Sequence, residues 1–380
     1  MYSFPRLTFR VLYTPLREVA FLVVKIYEVA QVAGVSVATV SRVFNNYPDV
    51  SEETRLRVRA AANQLGYVPN VAARTLSSKS LNNVALILNE VTRGREDVIG
   101  MQLIDGVYQY ATSHDIGFVL YMTNAEIQKR KTFDQFCLER NITGTVVQGL
   151  STDDPFICQI ENSEIPVVSV DLEIPGHNTG SISINNQEAE RVVTERMIQQ
   201  GRKHLIMING WANAEVSQSR QQGFLQAFES LGYSPLEYTI QYADFDQQQA
   251  NTIARRLMIE HPEIDGFICA SDGMAIGVLK AVQALGMRVP EQVMVAGFDN
   301  TIASQYLTPS LSTVEQHMDR MGNRAAKMVV DLINHRLPRD HAKRRLYTSY
   351  EYIQRRSTNF GGSSKLRNGQ IFDKGETDET

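Results

Sequence analysis

The chain has 380 residues, 43% of them hydrophobic and 21% charged, with a net charge of −4. That length exceeds what one compact core ordinarily serves, and the composition excludes a disordered, collagenous or predominantly membrane-spanning chain. The average charge hides an asymmetry: residues 1–80 carry ten Lys and Arg against five acids, a net of +5, which leaves the remaining 300 residues at −9. A small basic head on a large acidic body suits a polyanion-binding module joined to a part that must stay off polyanions. Cys137, Cys158 and Cys269 lie far apart, with no zinc or CxxC spacing, and read as reduced core thiols of a cytoplasmic protein.

Residues 1–23 contain the apolar run "AFLVV", too short for a membrane span and split from "VLYTPL" by Arg17 and Glu18. They are expected to form a leader outside the fold, with translation starting near Val24. From Ile26 the apolar residues Ile26, Val29, Ala30 and Ala33 recur at helical spacing. Gly34 permits a sharp turn and Ser36 is a good N-cap, so a second helix is expected from about Val37 to Asn45, with Val40, Val43 and Phe44 inward. A third starts at Ser51, where Glu52 and Glu53 favour the positive end of the dipole, and Gly66 ends it. Three short helices with a glycine turn between the first two make a helix-turn-helix unit, assigned to residues 24–69.

In such a unit the start of the second helix enters the major groove of DNA. Val37 and Ala38 would then touch base edges, and Arg42, one turn later, could fork onto a guanine. Tyr27, Ser36, Thr39 and Asn45 are positioned to hydrogen-bond phosphates. In "YVPNVAARTLSSKS", residues 67–80, Asn70 can cap a helix of about two turns, too short to be stable alone.

The stretch "KIYEVAQVAGVSVATVSRVFNN…VSEETRLRVRAAANQLGYVPNVAARTL" resembles the DNA-binding head and hinge of the lactose/galactose repressor family of bacterial regulators, almost residue for residue from Lys25 to Leu76. The resemblance implies a hinge helix and linker at 70–81, ordered when two chains meet on an operator. It adds Asn70, Ala73 and Leu76 to the DNA contacts, with Leu76 as a wedge in the minor groove.

After Leu81 the pattern alternates. "VALILN" (84–89), "GFVLYM" (117–122), "GTVVQG" (144–149), "PVVSVD" (166–171), "SISIN" (181–185), "HLIMING" (204–210), "GFICAS" (266–271) and "VMVAGFD" (293–299) read as buried strands. Helical segments are expected at 101–114, 126–140, 186–200, 217–231, 246–260, 273–285 and 316–334. Such alternation argues for two parallel sheets covered on both faces, with a ligand beyond the carboxyl ends of the strands. The fold class is therefore a small all-α helix-turn-helix head plus an α/β body of two doubly wound parallel-sheet subdomains.

The family resemblance extends to about Arg356, carried by "SRQQGF" (219–224), "ASDGMAIG" (270–277), "VPEQVMVAGFDN" (289–300) and "PSLSTVEQ" (309–316). It implies a body of the periplasmic sugar-binding type over residues 82–356, with crossovers near 180, 310 and 345. The N-subdomain would take 82–180 and 312–342, and the C-subdomain 181–311 and 343–356. It also implies effector contacts at Asp171, Arg220, Phe245, Asp272 and Asp299. Their chemistry suits a sugar: an arginine fork and carboxylates grip hydroxyls, and an aromatic face stacks on a ring. The loop "NEVTRGREDVI" (89–99) departs from the family pattern, carrying Arg93, Arg95, Glu96 and Asp97. The Gly-rich tail 357–380 is expected to be disordered.

The expected function is a DNA-binding transcription regulator, a repressor, controlled by a small effector of carbohydrate type. Its partners would be double-stranded operator DNA and a second copy of the chain, with no membrane, metal or cofactor. An α/β enzyme is the first alternative, but no GxGxxG opens a helix and no nucleophile–base set or Walker loop is present. A secreted sugar-binding protein is the second, and it would not need the helix-turn-helix.

Overall fold

The computed structural model describes residues 24–44, 47–67, 83–89, 98–232 and 240–359. The leader, Asn45, the hinge with Asn70, Ala73 and Leu76, the charged stretch 93–97 and the tail beyond 359 lie outside them. The chain divides into two units, residues 1–81 and 82–380.

The first unit carries helices α1 (Ile26–Ala33), α2 (Val37–Phe44) and α3 (Glu52–Leu65). Gly34 closes α1 in the left-handed region at φ 64°, a conformation that costs glycine nothing, and its N–H donates back to the carbonyls of Ala30 and Gln31. Ser36 starts α2 by accepting the Thr39 amide at 3.1 Å, and Ser51 starts α3 by accepting the Thr54 amide. Val29, Ala30, Val40, Val43, Val58 and Ala61 form the shared core. Small aliphatic residues at the crossing points let three short helices approach closely enough to bury one another.

In the second unit, β1 (Asn83–Asn89), β2 (Gly117–Thr123), β3 (Gly144–Gln148), β4 (Val167–Val170) and β5 (Thr179–Ile184) belong to one parallel sheet. Between them come α4 (Val98–Ser113), α5 (Ala125–Arg130), α6 (Phe133–Leu138) and α7 (Pro155–Glu161). The helix expected over 126–140 is two, because Thr132 and Gln135 form a reciprocal capping box that starts α6 afresh. The chain then builds α8 (Asn186–Gln199), β6 (Leu205–Asn209), α9 (Glu215–Ser230), β7 (Ile240–Tyr242), α10 (Gln247–Glu260), β8 (Gly266–Cys269), α11 (Asp272–Ala284), β9 (Met294–Ala296) and α12 (Ile302–Tyr306). These make a second parallel sheet in the order β7-β6-β8-β9. Strand β10 (Thr313–Glu315) leads back to α13 (Met318–Ile333), which packs on α4. Strand β11 (Arg345–Thr348) then pairs with β5, giving the first sheet the order β11-β5-β4-β3-β1-β2, and β12 (Glu351–Ile353) pairs antiparallel with β10.

Three boundaries differ from the expectation. Val167 to Val170 pair with Thr179 to Ile182, and Ser181 to Ile184 pair with Arg345 to Thr348. Both β5 and β11 are thus stitched into the first sheet, so residues 181–184 and 345–348 do not belong to the C-subdomain. The crossovers fall after Ile184, after Glu315 and after Thr348. The tail also starts later than Ser357: the buried Ser357 hydroxyl donates to the Val295 carbonyl at 2.6 Å, which seats residues 357–359 against β9.

Helices α4 and α13 cross where Gly106 meets Asp319. A β-carbon on Gly106 would stand 1.9 Å from the Asp319 carbonyl oxygen, and one on Gly322 would stand 2.5 Å from that of Leu103. Backbone cannot yield as a flexible side chain can. Gly106→Ala is expected to destabilise the body by about 1–3 kcal/mol, read as a lower denaturant midpoint at unchanged slope.

Candidate functional site

On the head, the start of α2 turns its polar and small side chains outward. Ser36, Val37 and Ala38 are exposed, Thr39 is half-buried and shares a 2.8 Å hydrogen bond with the Ser36 hydroxyl, and Tyr27 on α1 is exposed. Within α2 only Val40 and Val43 are buried. Arg42 is ion-paired with Asp49 and its guanidinium lies 5.4 Å from the centre of the Tyr47 ring. Sequence reading missed Asp49 and Tyr47. Their signal was an acid and an aromatic one short loop beyond the expected base-reading arginine.

In the body, four of the five expected effector residues follow the carboxyl ends of parallel strands, where backbone groups leave the ladder and side chains can converge. Asp171 follows β4, Phe245 follows β7, Asp272 follows β8 and Asp299 follows β9. Arg220, on α9, is buried, 3% exposed. Its Nε donates to Asn186 Oδ1 at 2.8 Å and its Nη1 to the Ala270 carbonyl at 2.7 Å, with the guanidinium 3.6 Å from the Phe298 ring centre. Nη2 has no hydrogen-bond acceptor among the described residues. Burial lowers the Arg220 pKa, while Asp299, Asp171 and Glu190 pull it back up.

Asp299 is held at φ 113°, and Gln316 Nε2 donates to its Oδ1 at 2.8 Å. Asp171, at φ 60°, takes a 2.6 Å hydrogen bond from Ser183, whose oxygen accepts from Asn186, the residue that also holds Arg220. Phe245 stands edge-on to Trp211 with ring centres 5.6 Å apart. Its ring occupies the space a β-carbon on Gly210 would need, at 2.1 Å. Two polar seams join the lobes across this cleft. Asn213 accepts the Thr152 amide at 2.9 Å and donates to Asp153 at 2.8 Å, while Glu215 accepts the Glu173 amide at 2.9 Å.

Asp272 is fully buried, one oxygen accepting from the Thr313 hydroxyl at 2.7 Å and the other from the Thr301 amide at 2.8 Å and hydroxyl at 3.1 Å. It ties α11 to the β9–α12 turn and to β10. Trp211, Asn186 and Glu190 were the residues missed.

Glu190, on α8, has neither carboxylate oxygen hydrogen-bonded among the described residues, and burial pushes its pKa up to about 8 against the pull of Arg220.

A basic three-helix reading head on a two-lobed body with a polar, aromatic-edged cleft defines a ligand-responsive DNA-binding regulator. Residues 25–70 match the family model "Bacterial regulatory proteins, lacI family", and residues 194–358 match a periplasmic binding protein-like domain. The probable HTH-type transcriptional repressor ExuR of Bacillus subtilis is 31% identical over 313 residues, 82% of this chain and 92% of that protein. The HTH-type transcriptional regulator CelR of Thermobifida fusca is 30% identical over 308 residues, covering 80% and 90%. Among solved structures, a CelR–cellobiose complex aligns with a TM-score of 0.67 at 27% identity over 88% of this chain and 99% of that one. The lac repressor dimer bound to operator and the anti-inducer ONPF aligns with a TM-score of 0.77 at 22% identity over the same shares, which supports the fold. The chain belongs to the lacI family of bacterial transcription regulators.

Between pH about 4.5 and about 8 the folded protein holds a proton on Glu190 that the unfolded chain has released, so this group's contribution to stability rises as pH falls through that window. Glu190→Gln should remove that dependence. Urea melts are expected to show the variant more stable than wild type by roughly 3–5 kcal/mol at pH about 8.5, the gap narrowing as pH falls and closing below about 4.5.

Proposed function

We propose that the protein represses transcription as a homodimer on a pseudo-palindromic operator, and that a neutral carbohydrate in the inter-lobe cleft controls its affinity for DNA. The observation that carries the DNA half is the outward start of α2, from Ser36 to Thr39, on a head whose core needs none of those side chains. Val37 and Ala38 suit thymine methyls, and Arg42 forks onto a guanine. Tyr27, Ser36 and Thr39 serve phosphates, as do Asn45 and Asn70. Ala73 and Leu76 approach the minor groove from the hinge. DNA as partner puts the working protein in the cytoplasm.

For the effector half, Arg220, Asp171 and Asp299 offer a fork and two carboxylates for vicinal hydroxyls, with Phe245 and Trp211 as the ring-stacking wall. The solved CelR complex contains cellobiose, which favours a sugar here. The Thr152–Asn213 and Glu173–Glu215 seams are the contacts that a change in lobe angle would make or break. A coupling of about 1–3 kcal/mol is the usual size for such a switch. Exposed apolar residues on both lobes favour a second copy as partner: Met101 and Tyr108 on α4, Met122 on the edge strand β2, and Ile302 and Tyr306 on α12.

Gel shifts test the DNA reading. Arg42→Ala should lose preference for operator over scrambled duplex by about 10- to 100-fold and keep its circular dichroism spectrum. Wild type that binds both duplexes equally would refute specific reading. Wild-type operator affinity should fall steeply and linearly in log–log form as salt rises. Arg220→Lys keeps the charge but loses the fork. It should weaken effector response by about 10- to 100-fold with operator affinity retained, measured as the sugar concentration that half-releases DNA.

A further inference from the structure

Arg42 meets an acid where acids are costly. Asp49 Oδ2 accepts from Arg42 Nη2, and the side chains of Arg42 and Asp49 are 49% and 53% exposed. A free carboxylate beside the reading arginine would repel the phosphates of any duplex that the head approaches. Its place in the fold is nonetheless fixed from two sides. The Tyr47 amide donates to the Arg42 carbonyl at 3.1 Å, which ties the loop to the end of α2. From α3, Arg55 Nη2 donates to the Tyr47 carbonyl and Arg55 Nε to the Val50 carbonyl at 3.2 Å. The Arg55 side chain is only 15% exposed, so this clamp belongs to the packing of the head. Tyr47 and Val50 bracket Asp49 in the chain, so the clamp limits where its carboxylate can stand. The Tyr47 ring, its centre 5.4 Å from the Arg42 guanidinium, adds a second contact to the same group.

An arginine side chain is long and loses much rotamer freedom when it is ordered. The paired acceptors of a guanine ask for a guanidinium held in their plane, whereas a phosphate contact carries no sequence information. Asp49 engages one end of the guanidinium and leaves other donors open, because the group has more N–H bonds than one carboxylate oxygen accepts. The pair is weak while water reaches it and strengthens when a duplex covers it, since the local dielectric falls.

We propose that Asp49 is a positioning residue for base reading: it stays on Arg42 in the DNA complex and aims the open donors at a guanine. Arg42 neutralises the carboxylate, so the acid is tolerated near phosphates, and the acid turns a mobile cation into a directed fork. This specificity role rests on the reading of the head given above.

The test takes the full chain, the duplex it binds best from a random-sequence pool, and gel shifts on single-base-pair replacements in that duplex. The pair read by Arg42 is the G·C pair whose replacement weakens wild type and leaves Arg42→Ala unaffected. At that pair, Asp49→Asn should lower the preference for guanine by about tenfold, with preferences at the other pairs unchanged. In the Arg42→Ala background, Asp49→Asn should change no preference. Asp49→Ala takes its place if the amide variant melts below wild type. An unchanged preference at that pair in a well-folded variant would overturn the role and leave the regulatory reading standing. So would relaxation at a different pair, which would mean that the carboxylate itself reads a base such as cytosine. A wild type that enriches no duplex from the pool would overturn the regulatory reading, and this role with it.

Discussion

The body depends on one buried guanidinium. Arg220 stands on α9 at the end of the second sheet, yet it holds Asn186 at the start of α8, the carbonyl that ends β8, and the ring of Phe298. A cation so deeply desolvated persists only where fixed acceptors and negative charge surround it. Asp171 and Asp299 supply that charge from the ends of strands in different sheets. The same requirement draws both lobes' carboxylates towards one point and leaves polar atoms there to meet a guest. The cleft is polar because the arginine must be satisfied.

The head obeys a different constraint. Its core is built of valine and alanine, and each helix is set by a local device: Gly34, Ser36, Ser51 or Gly66. The side chains of Val37 and Ala38 stand outside that core, while Ser36 and Thr39 fix the start of α2. Arg42 is restrained by Asp49 and Tyr47. Exposed ion pairs of this kind are weak, so the restraint is light.

Much of this could be read in advance, for identifiable reasons. The long strands and helices announced themselves because burial on both faces of a parallel sheet demands unbroken apolar runs, as in residues 84–88. Strands β7, β10, β11 and β12 escaped because three or four residues with polar members leave no periodicity to detect. The crossovers were misplaced because "SISIN" does not reveal which sheet it joins; the partners that decide it, Val167–Val170 and Arg345–Thr348, lie far away in the chain. The structural ties of Asp272 could not be read in advance: Thr301 and Thr313, which hydrogen-bond its carboxylate, are 29 and 41 residues away. Glu190 gave no sign at all, since a glutamate within a helix looks the same whether it faces water or the core.

The chain's single tryptophan, Trp211, stands edge-on to Phe245 at the mouth of the cleft. Gly210 makes room for that phenyl ring, which fills the space a β-carbon there would need. The Trp211 indole is therefore a resident optical probe. Tryptophan emission, excited at wavelengths the tyrosines do not absorb, originates at one spot, so occupancy of the cleft can be followed in real time without attaching a dye.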